Sequence, residues 1–460
     1  ISGSYYSEGA NLRFQIRLTD ASDGSIIYAP PAVTGSREAP TDALETLRQR
    51  VMGALVTEFD SSLSAQPPIY EAYKEDEIGM RIFAADYPEC IRHLNRAVEI
   101  DPSFMRARLH LAMAYRNTGH LAEADSVMSE VTRNREQLAP FEQQMLAWYA
   151  AHARGDTEGC LRHLREARRL DPTDEHATYL CGLNCLWANR PREALEAFEA
   201  LLMDQSEPGT DRVHWSWPYA AAAYAHHMLG EYDRELQVVR EALEYFPNLP
   251  LLRAAEVGAL AALHRVEEVR DIVDQSLATA SEYGSPYWVM ECAFLELRAH
   301  DHLEESIEIA NCAVDWCRVR PQEEAQTEEL RASLATALYF AERWDEANAL
   351  FEELGRENPE NIGYVGHLGT LAARRGDPEE AARISMELER LDHPHMYGMN
   401  MYWCARISAL LGERERAVEF LREGFAGGLT HCGTVDLHVE MDFESLRGYP
   451  PFEELMRPKG

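Results

Sequence analysis

Lysine is almost absent from this 460-residue sequence and occurs only at Lys74 and Lys459. A phosphate-binding P-loop needs a lysine followed by Ser or Thr, and neither lysine has that neighbour. The sequence also lacks the glycine-rich loop, His-Arg-Asp and Asp-Phe-Gly motifs of kinases, the HExxH helix of zinc proteases and the GxSxG elbow of hydrolases. These absences exclude the corresponding classes of site, and we predict that the chain is not an enzyme.

Positive charge and long apolar runs are also scarce. Lys and Arg number 44 against 78 Asp and Glu, which gives a net charge of −34. A negative charge of this size repels nucleic acid and anionic membrane surfaces, so we predict neither as a partner. The most apolar stretch, residues 254–263, is interrupted by Glu256 and is too short to span a bilayer. We therefore expect no direct membrane insertion.

The nine cysteines are odd in number and form no CxxC pair, which argues against a disulfide framework and a zinc ribbon. Cys181 and Cys185 are four residues apart and could ligate a soft metal together with Cys160 or His163. We interpret these cysteines as small buried residues of the core instead. Unpaired cysteines favour a reducing compartment, and hence the cytoplasm.

Two further groups of histidines were weighed as metal ligands. We interpret both as loop residues because neither shows ligand spacing on a rigid element. We expect no metal and no cofactor, and we keep a metal-dependent enzyme only as a third hypothesis. The two groups are His393 and His395 with neighbouring methionines, and His431 and Cys432 with His438.

The sequence pattern of the first part of the chain predicts a small sheet and a helix. Alternating apolar residues in Leu12–Leu18 predict a strand with one buried face. Turns at Glu8–Asn11 and Asp23–Gly24 predict three antiparallel strands, and a helix capped by Thr41 or Asp42 is predicted to run to about residue 63. Residues 1–66 are thus predicted to form a partial α+β segment. The chain begins without methionine, so we expect a piece of a longer protein whose open sheet edge supports a homodimer.

This segment resembles the second half of the TolB amino-terminal-like domain. The resemblance rests on residues 3–5, 12–14, 18–20, Gly24 and the helix around 47–55. In bacteria that domain often precedes repeat arrays in transmembrane serine/threonine kinases and adenylate cyclases. The resemblance implies a non-catalytic sensor or regulatory region of a signalling enzyme, and it implies a periplasmic location after a membrane span.

A repeating unit fills most of the remaining chain. Proline recurs in equivalent places at Asp101-Pro102, Asp171-Pro172, Phe246-Pro247 and Asn358-Pro359, and counting back from each gives units of about 34 residues. The unit from residue 105 to 138 resembles the tetratricopeptide repeat through Leu111, Ala112, Tyr115, Gly119, Leu121, Ala124 and Met128.

The resemblance implies an all-α superhelical solenoid of about ten helix-turn-helix repeats behind the α+β segment. We assign residues 67–427 to the repeat array, residues 203–213 to an insertion, and residues 428–460 to a C-terminal cap.

In the tetratricopeptide family, fixed positions of the first helix face a concave groove. The resemblance places ring-bearing residues there, which suit recognition because they offer large area and few rotors. The competing interpretation is that these rings pack between repeats. The predicted groove residues are Tyr149, His152, Tyr179, Trp187, Trp217, Tyr224, His227 and Trp288, with His176, Tyr339 and Tyr402 at related positions and Trp215 close by.

These residues predict a scaffold that binds a peptide or protein segment in the groove. The carboxylate clamp known in the family uses Lys and Asn, which are few at these positions. An acidic tail is therefore expected to fit poorly, and an extended apolar or proline-rich segment is expected to fit better.

Overall fold

A computed structural model describes residues 1–59, 63, 67–83, 86–204, 216–247, 249–278, 285–393, 396–429 and 437–459. The described strands are β1 Ser2–Glu8, β2 Asn11–Thr19, β3 Ile26–Tyr28 and β4 Val33–Ser36. The described helices are α1 Thr41–Phe59, α2 Tyr70–Arg81, α3 Tyr87–Ile100, α4 Met105–Asn117, α5 Leu121–Arg133, α6 Pro140–Ala153, α7 Thr157–Leu170, α8 Glu175–Trp187, α9 Pro191–Asp204, α10 Trp217–Met228, α11 Tyr232–Tyr245, α12 Pro250–Ala262, α13 Val266–Ala278, α14 Pro286–Ala299, α15 Leu303–Arg318, α16 Gln322–Ala325, α17 Glu328–Phe340, α18 Trp344–Glu357, α19 Ile362–Arg374, α20 Pro378–Glu389, α21 Met399–Leu410, α22 Arg414–Ala426 and α23 Pro450–Met456.

The chain divides into two compact units. The first unit comprises residues 1–149 and 165–173, and the second comprises residues 150–164 and 174–460. The first unit contains the sheet, whereas the second contains every cluster discussed as a site below.

In the first unit, β2 is the central strand of an antiparallel sheet. It pairs with β1 on one side, and with β4 and β3 on the other. The sheet has four strands where three were predicted, because β4 is short and follows two prolines. Helix α1 covers it through Ala43 and Leu47, which pack against Val33. A side chain at Gly35 would lie 2.5 Å from the Ala43 Cβ atom, so glycine permits this close approach.

All seven residues of β1 are exposed, and β1 pairs only with β2 among the described residues. This arrangement is the open edge on which the homodimer was predicted. Dimerisation itself stays a prediction.

Helix pairs make up the rest of the described chain. Ten pairs follow one another among the described residues, and each consists of a first helix followed by a second helix. The pairs are α2/α3, α4/α5, α6/α7, α8/α9, α10/α11, α12/α13, α14/α15, α17/α18, α19/α20 and α21/α22. The predicted all-α repeat fold with a small N-terminal sheet is therefore confirmed.

In nine of the ten pairs, the turn between the helices places one residue in the left-handed region of backbone conformation. Glycine takes this position at Gly119, Gly155, Gly230, Gly376 and Gly412, with φ between 69° and 81°. Residues with side chains take it at Asn189, His264, Asp301 and Glu342, with φ between 57° and 68°. Left-handed residues are rarely other than Gly or Asn, so these four repeats lack the glycine that marks the five named first.

Residues 437–459, here called the C-terminal segment, pack partly into the core of the last two pairs. Phe443, Leu446 and Phe452 are buried in the same cluster as Trp403 and Leu421. The predicted boundaries of array and cap stay predictions. Residues 205–213 of the predicted insertion lie outside the described residues.

Candidate functional site

The predicted groove residues differ widely in exposure. Tyr149 and His227 are buried, whereas Trp217 and Trp288 expose 41% and 43% of their surface. Tyr149 belongs to the first unit, where the Arg116 guanidinium lies 5.5 Å from its ring centre. The other four, His152, Tyr179, Trp187 and Tyr224, are half-buried. Trp215 lies outside the described residues.

The half-buried rings of the second unit have aromatic neighbours. His152 makes edge contacts with Trp187 at 5.7 Å and with Tyr397 at 6.3 Å between ring centres. Tyr179 lies 6.0 Å from Phe198 of the second helix in its own pair. Tyr224 stacks on His227 at 6.1 Å. Packing between helices therefore accounts for part of this set.

The C-terminal segment runs along first helices of the second unit. Its polar side chains contact five of these helices, α10, α14, α17, α19 and α21, through His227, Arg298, Tyr339, Arg374 and Tyr402. At its far end, the Asn189 side-chain amide donates to the carbonyl groups of Met456 and Arg457, at 3.2 and 3.0 Å. The inner face of these repeats thus holds a segment of the same chain.

Asp442 is the most heavily contacted side chain of the C-terminal segment. Its Oδ1 atom accepts hydrogen bonds from the Tyr339 hydroxyl and Arg374 Nη2, both at 2.6 Å. Its Oδ2 atom accepts from Arg406 Nε at 2.8 Å. Burial alone would raise the pKa of Asp442, but Arg406 and Arg374 outweigh it and hold the pKa below its ordinary value. Asp442 is therefore an ionised, fully paired buried group.

Glu440 lies beside Asp442 in the same cluster. Arg406 Nη2 contacts its Oε1 atom at 3.0 Å, and the Tyr402 hydroxyl donates to its Oε2 atom at 2.8 Å. Burial raises the pKa of Glu440 despite the Arg406 charge. The scarcity of Lys and Asn predicts that an acidic tail fits this surface poorly. In the structure, arginine and tyrosine side chains contact the acidic groups instead of Lys and Asn. Acidic groups of the C-terminal segment are therefore held at this surface, contrary to the prediction.

A second cluster surrounds Glu296 of α14. His227 of α10 places its Nε2 atom 3.5 Å from Glu296 Oε2, and His438 places its Nε2 atom 3.4 Å from Glu296 Oε1. The two Nε2 atoms are 3.1 Å apart. Burial would raise the pKa of Glu296, but His227 and His438 outweigh it and hold the pKa well below the ordinary value. His227 was among the predicted groove residues, whereas Glu296 was not.

An open cavity lies beside this second cluster, within the second unit. Its walls combine aromatic and apolar side chains with imidazole and amide groups. Trp187 and His227 are the two predicted groove residues among them. Other lining residues are Asn189, Tyr232, His300, Phe425, His438 and Phe452. The C-terminal segment supplies one wall, so the cavity is bounded by repeats and segment together.

The cysteines considered as metal ligands are buried. Cys160, Cys181 and Cys185 expose at most 3% of their surface. Burial raises the pKa of Cys317 and Cys404 to about 11, which suppresses thiolate formation. His395, His431 and Cys432 of the other two candidate groups lie outside the described residues.

None of the described helices combines the length and apolar character that a bilayer-spanning helix requires.

Comparison with known proteins identifies the repeat type. Residues 333–389, which lie within α17 to α20, match the tetratricopeptide repeat family. Comparison with curated proteins gives no match. Solved structures give low similarity: a tetratricopeptide repeat protein from Parabacteroides merdae is 14% identical over 66% of this chain and 99% of its own, with a TM-score of 0.33. A thermophilic tetratricopeptide repeat protein of Thermus thermophilus is 15% identical over 49% of this chain and 94% of its own, with a TM-score of 0.30.

A human IFIT1 dimer is 13% identical over 75% of this chain and 82% of its own, with a TM-score of 0.34. Similarity at this level carries no information on function. The family match and the helix pairs agree on the fold: residues 333–389 match the tetratricopeptide repeat, and they lie within an array of helix pairs that follows a small sheet.

Proposed function

We propose that this chain is a non-catalytic protein-interaction scaffold, and that it binds an extended partner segment in the cavity beside Trp187 and His227. The observation that carries the proposal is the position of the C-terminal segment. First helices of the second unit hold this segment through residue-specific contacts such as Tyr339 to Asp442. A surface that holds one polypeptide segment in this way has the polar groups needed to hold another.

The cavity supplies the recognition chemistry for such a partner. Trp187, Phe425 and Phe452 offer apolar area for an aromatic or aliphatic anchor, while Asn189 and Arg447 line the polar rim. Binding energy concentrates on a few buried aromatic contacts of this kind. The partner segment is thus expected to carry one large apolar side chain, which agrees with the apolar ligand expected from the sequence.

A peptide-display selection on the full chain tests this proposal. Enriched peptides are measured by calorimetry against the wild type, Trp187→Ala and Trp288→Ala. We expect Trp187→Ala to weaken binding at least tenfold, about 1.4 kcal/mol or more. Trp288 is exposed and does not line the cavity, so Trp288→Ala should bind like the wild type. Selection that enriches no peptide, or equal losses in both variants, would contradict the proposal.

The second candidate function is a regulatory region of a bacterial signalling enzyme. The antiparallel sheet with α1 packed on it supports this candidate, since the resemblance to the TolB-type domain lies in those residues. The reading frame upstream of Ile1 is the test. A membrane span and a kinase or cyclase domain there would support the candidate, and a frame that encodes neither would remove it.

A further inference from the structure

Three side chains from distant parts of the sequence bring metal-binding atoms together in the second unit. They are His227 on α10, Glu296 on α14 and His438 in the C-terminal segment. The Nε2 atoms of His227 and His438 are 3.1 Å apart. Nε2 of His438 lies 3.4 Å from Oε1 of Glu296, and Nε2 of His227 lies 3.5 Å from the other carboxylate oxygen, Oε2. A tetrahedral zinc ion with bonds of about 2.0 Å requires ligand atoms about 3.3 Å apart. Each of the three measured separations is close to this value, and one donor atom from each residue lies within 4.8 Å of the other two.

A fourth residue orients one of these donors. Nδ1 of His227 lies 2.9 Å from Glu235 Oε2 on α11. When Nδ1 donates to this carboxylate, the neutral imidazole of His227 carries its lone pair on Nε2, which lies towards Glu296 and His438. A carboxylate behind the imidazole is the usual outer contact of a zinc-binding histidine.

The charge of the cluster also favours a cation. Glu235 and Glu296 are both buried, at 3% and 7% exposure. Among the described residues their ionic contacts are to imidazoles, namely His227, His300 and His438. Arg298, the nearest arginine on α14, pairs with Glu342 and Glu444 instead. Two buried carboxylates need compensating charge, and one divalent ion supplies it while the imidazoles stay neutral.

We propose that His227, Glu296 and His438 form a zinc-binding site, with Glu235 as a positioning residue for His227. Two imidazoles and one carboxylate are the donor set of zinc sites that leave a fourth position for water or a ligand. Here His227 and His438 also line the cavity, so the fourth position faces it. The site ties two repeats to the C-terminal segment. It departs from the sequence-based expectation of no metal, which considered His438 only with its chain neighbours.

Zinc titration of the full chain tests the site. The protein is dialysed against a chelator, the chelator is removed, and zinc chloride is titrated in a calorimeter, with elemental analysis after gel filtration. We expect one zinc per wild-type chain and no stoichiometric zinc in His227→Ala. His438→Ala changes a half-exposed side chain, so it tests the site even when the buried substitution His227→Ala prevents folding. The His438→Ala variant should weaken zinc binding at least tenfold. Glu235→Gln should weaken it about 10- to 100-fold, as outer-contact changes do.

Matched controls separate this site from other histidines and cysteines. His264 and His302 form an exposed pair with ring nitrogens 2.8 Å apart, and among the described residues they belong to no group of three metal-binding side chains, so His302→Ala should bind zinc like the wild type. A Cys181→Ser/Cys185→Ser variant should do the same. Cobalt in place of zinc should give the visible absorption of a tetrahedral ion, lost in His438→Ala. A wild-type chain without bound zinc, or zinc retained in both histidine variants, would overturn the proposal.

Discussion

Two buried clusters in the second unit hold the C-terminal segment, and they balance negative charge in different ways. At Asp442 and Glu440 the partners are the guanidinium groups of Arg374 and Arg406. At Glu296 the partners are imidazoles, chiefly those of His227 and His438. Arginine keeps its charge at every physiological pH, whereas imidazole gains or loses it near neutrality. The charge balance at Asp442 and Glu440 therefore does not change with pH near neutrality. The charge balance at Glu296 depends on protonation of the imidazoles or on a bound metal ion.

Removing Asp442 should give the largest effect, because it takes the carboxylate partner from Arg374 and leaves the buried Arg406 with Glu440 alone. We expect Asp442→Ala to lower the free energy of unfolding by about 3–5 kcal/mol, measured by urea unfolding. The control is Asp345→Ala, which breaks an exposed ion pair with Arg375 at 3.1 Å and should cost about 0.5 kcal/mol or less. Equal costs in the two variants would show that the cluster at Asp442 does not stabilise the fold.

Tyr339→Phe removes one hydrogen bond to the same carboxylate and keeps the ring. Bonds to charged groups contribute about 1.5–3 kcal/mol, so a loss of about 2 kcal/mol is expected by the same measurement. Tyr364→Phe is the matched control, since Tyr364 donates at 2.8 Å to Glu328, which is exposed. A smaller loss at Tyr339 than at Tyr364 would contradict the ranking of the two sites.

His367 is an imidazole whose pKa is affected by Arg406 of the cluster at Asp442. It stacks on Phe351 at 4.3 Å, and burial together with Arg406 lowers its pKa well below 6.5. Below about pH 6.5 the unfolded chain takes up this proton and the folded chain does not. Stability supplied by neutral His367 is therefore complete above that pH and falls as the pH decreases.

The expected loss through His367 is about 1.4 kcal/mol per pH unit. His367→Phe should flatten this dependence between about pH 6.5 and 5.5 while preserving the stack, because Nδ1 of His367 has no hydrogen-bond partner among the described residues. Urea unfolding at both pH values measures it. An unchanged slope in the variant would mean that His367 is protonated in the folded state.

Asn189→Gly should give the smallest effect. Asn189 has φ of 57°, which glycine adopts without strain, so the substitution isolates the side-chain bonds to Met456 and Arg457. We expect faster hydrogen exchange in residues 456–459 and a local loss of about 1 kcal/mol. Gly230 lies at the equivalent turn of the next pair and has no side chain that could donate such a hydrogen bond. Unchanged exchange would show that the terminal residues are held by other contacts.

The repeat fold could be predicted from the sequence because its signals are local. Gly119 and Gly412 mark turns at regular spacing, and the alternation around Phe14 marks a strand. Where the turn residue is His264 or Asp301, the same backbone is built without the glycine signal. Those repeats are recognised only by their spacing.

The cluster at Glu296 could not be predicted in the same way. His227 and His438 are 211 residues apart, and no local pattern links them. His227 was selected for its ring and position, and His438 was considered with its own neighbours. One signal was present: Glu296 is a charged residue within an apolar first helix, between Leu295 and Leu297. A charge at such a position is costly unless a partner meets it.

The thermal unfolding midpoint of the full chain at neutral pH, with and without zinc, tests the central difference between the clusters most directly. The account predicts that zinc raises the midpoint of the wild type, fails to raise that of His438→Ala, and raises that of Tyr339→Phe by as much as the wild type. A midpoint that zinc leaves unchanged in the wild type, or raises equally in His438→Ala, would contradict it.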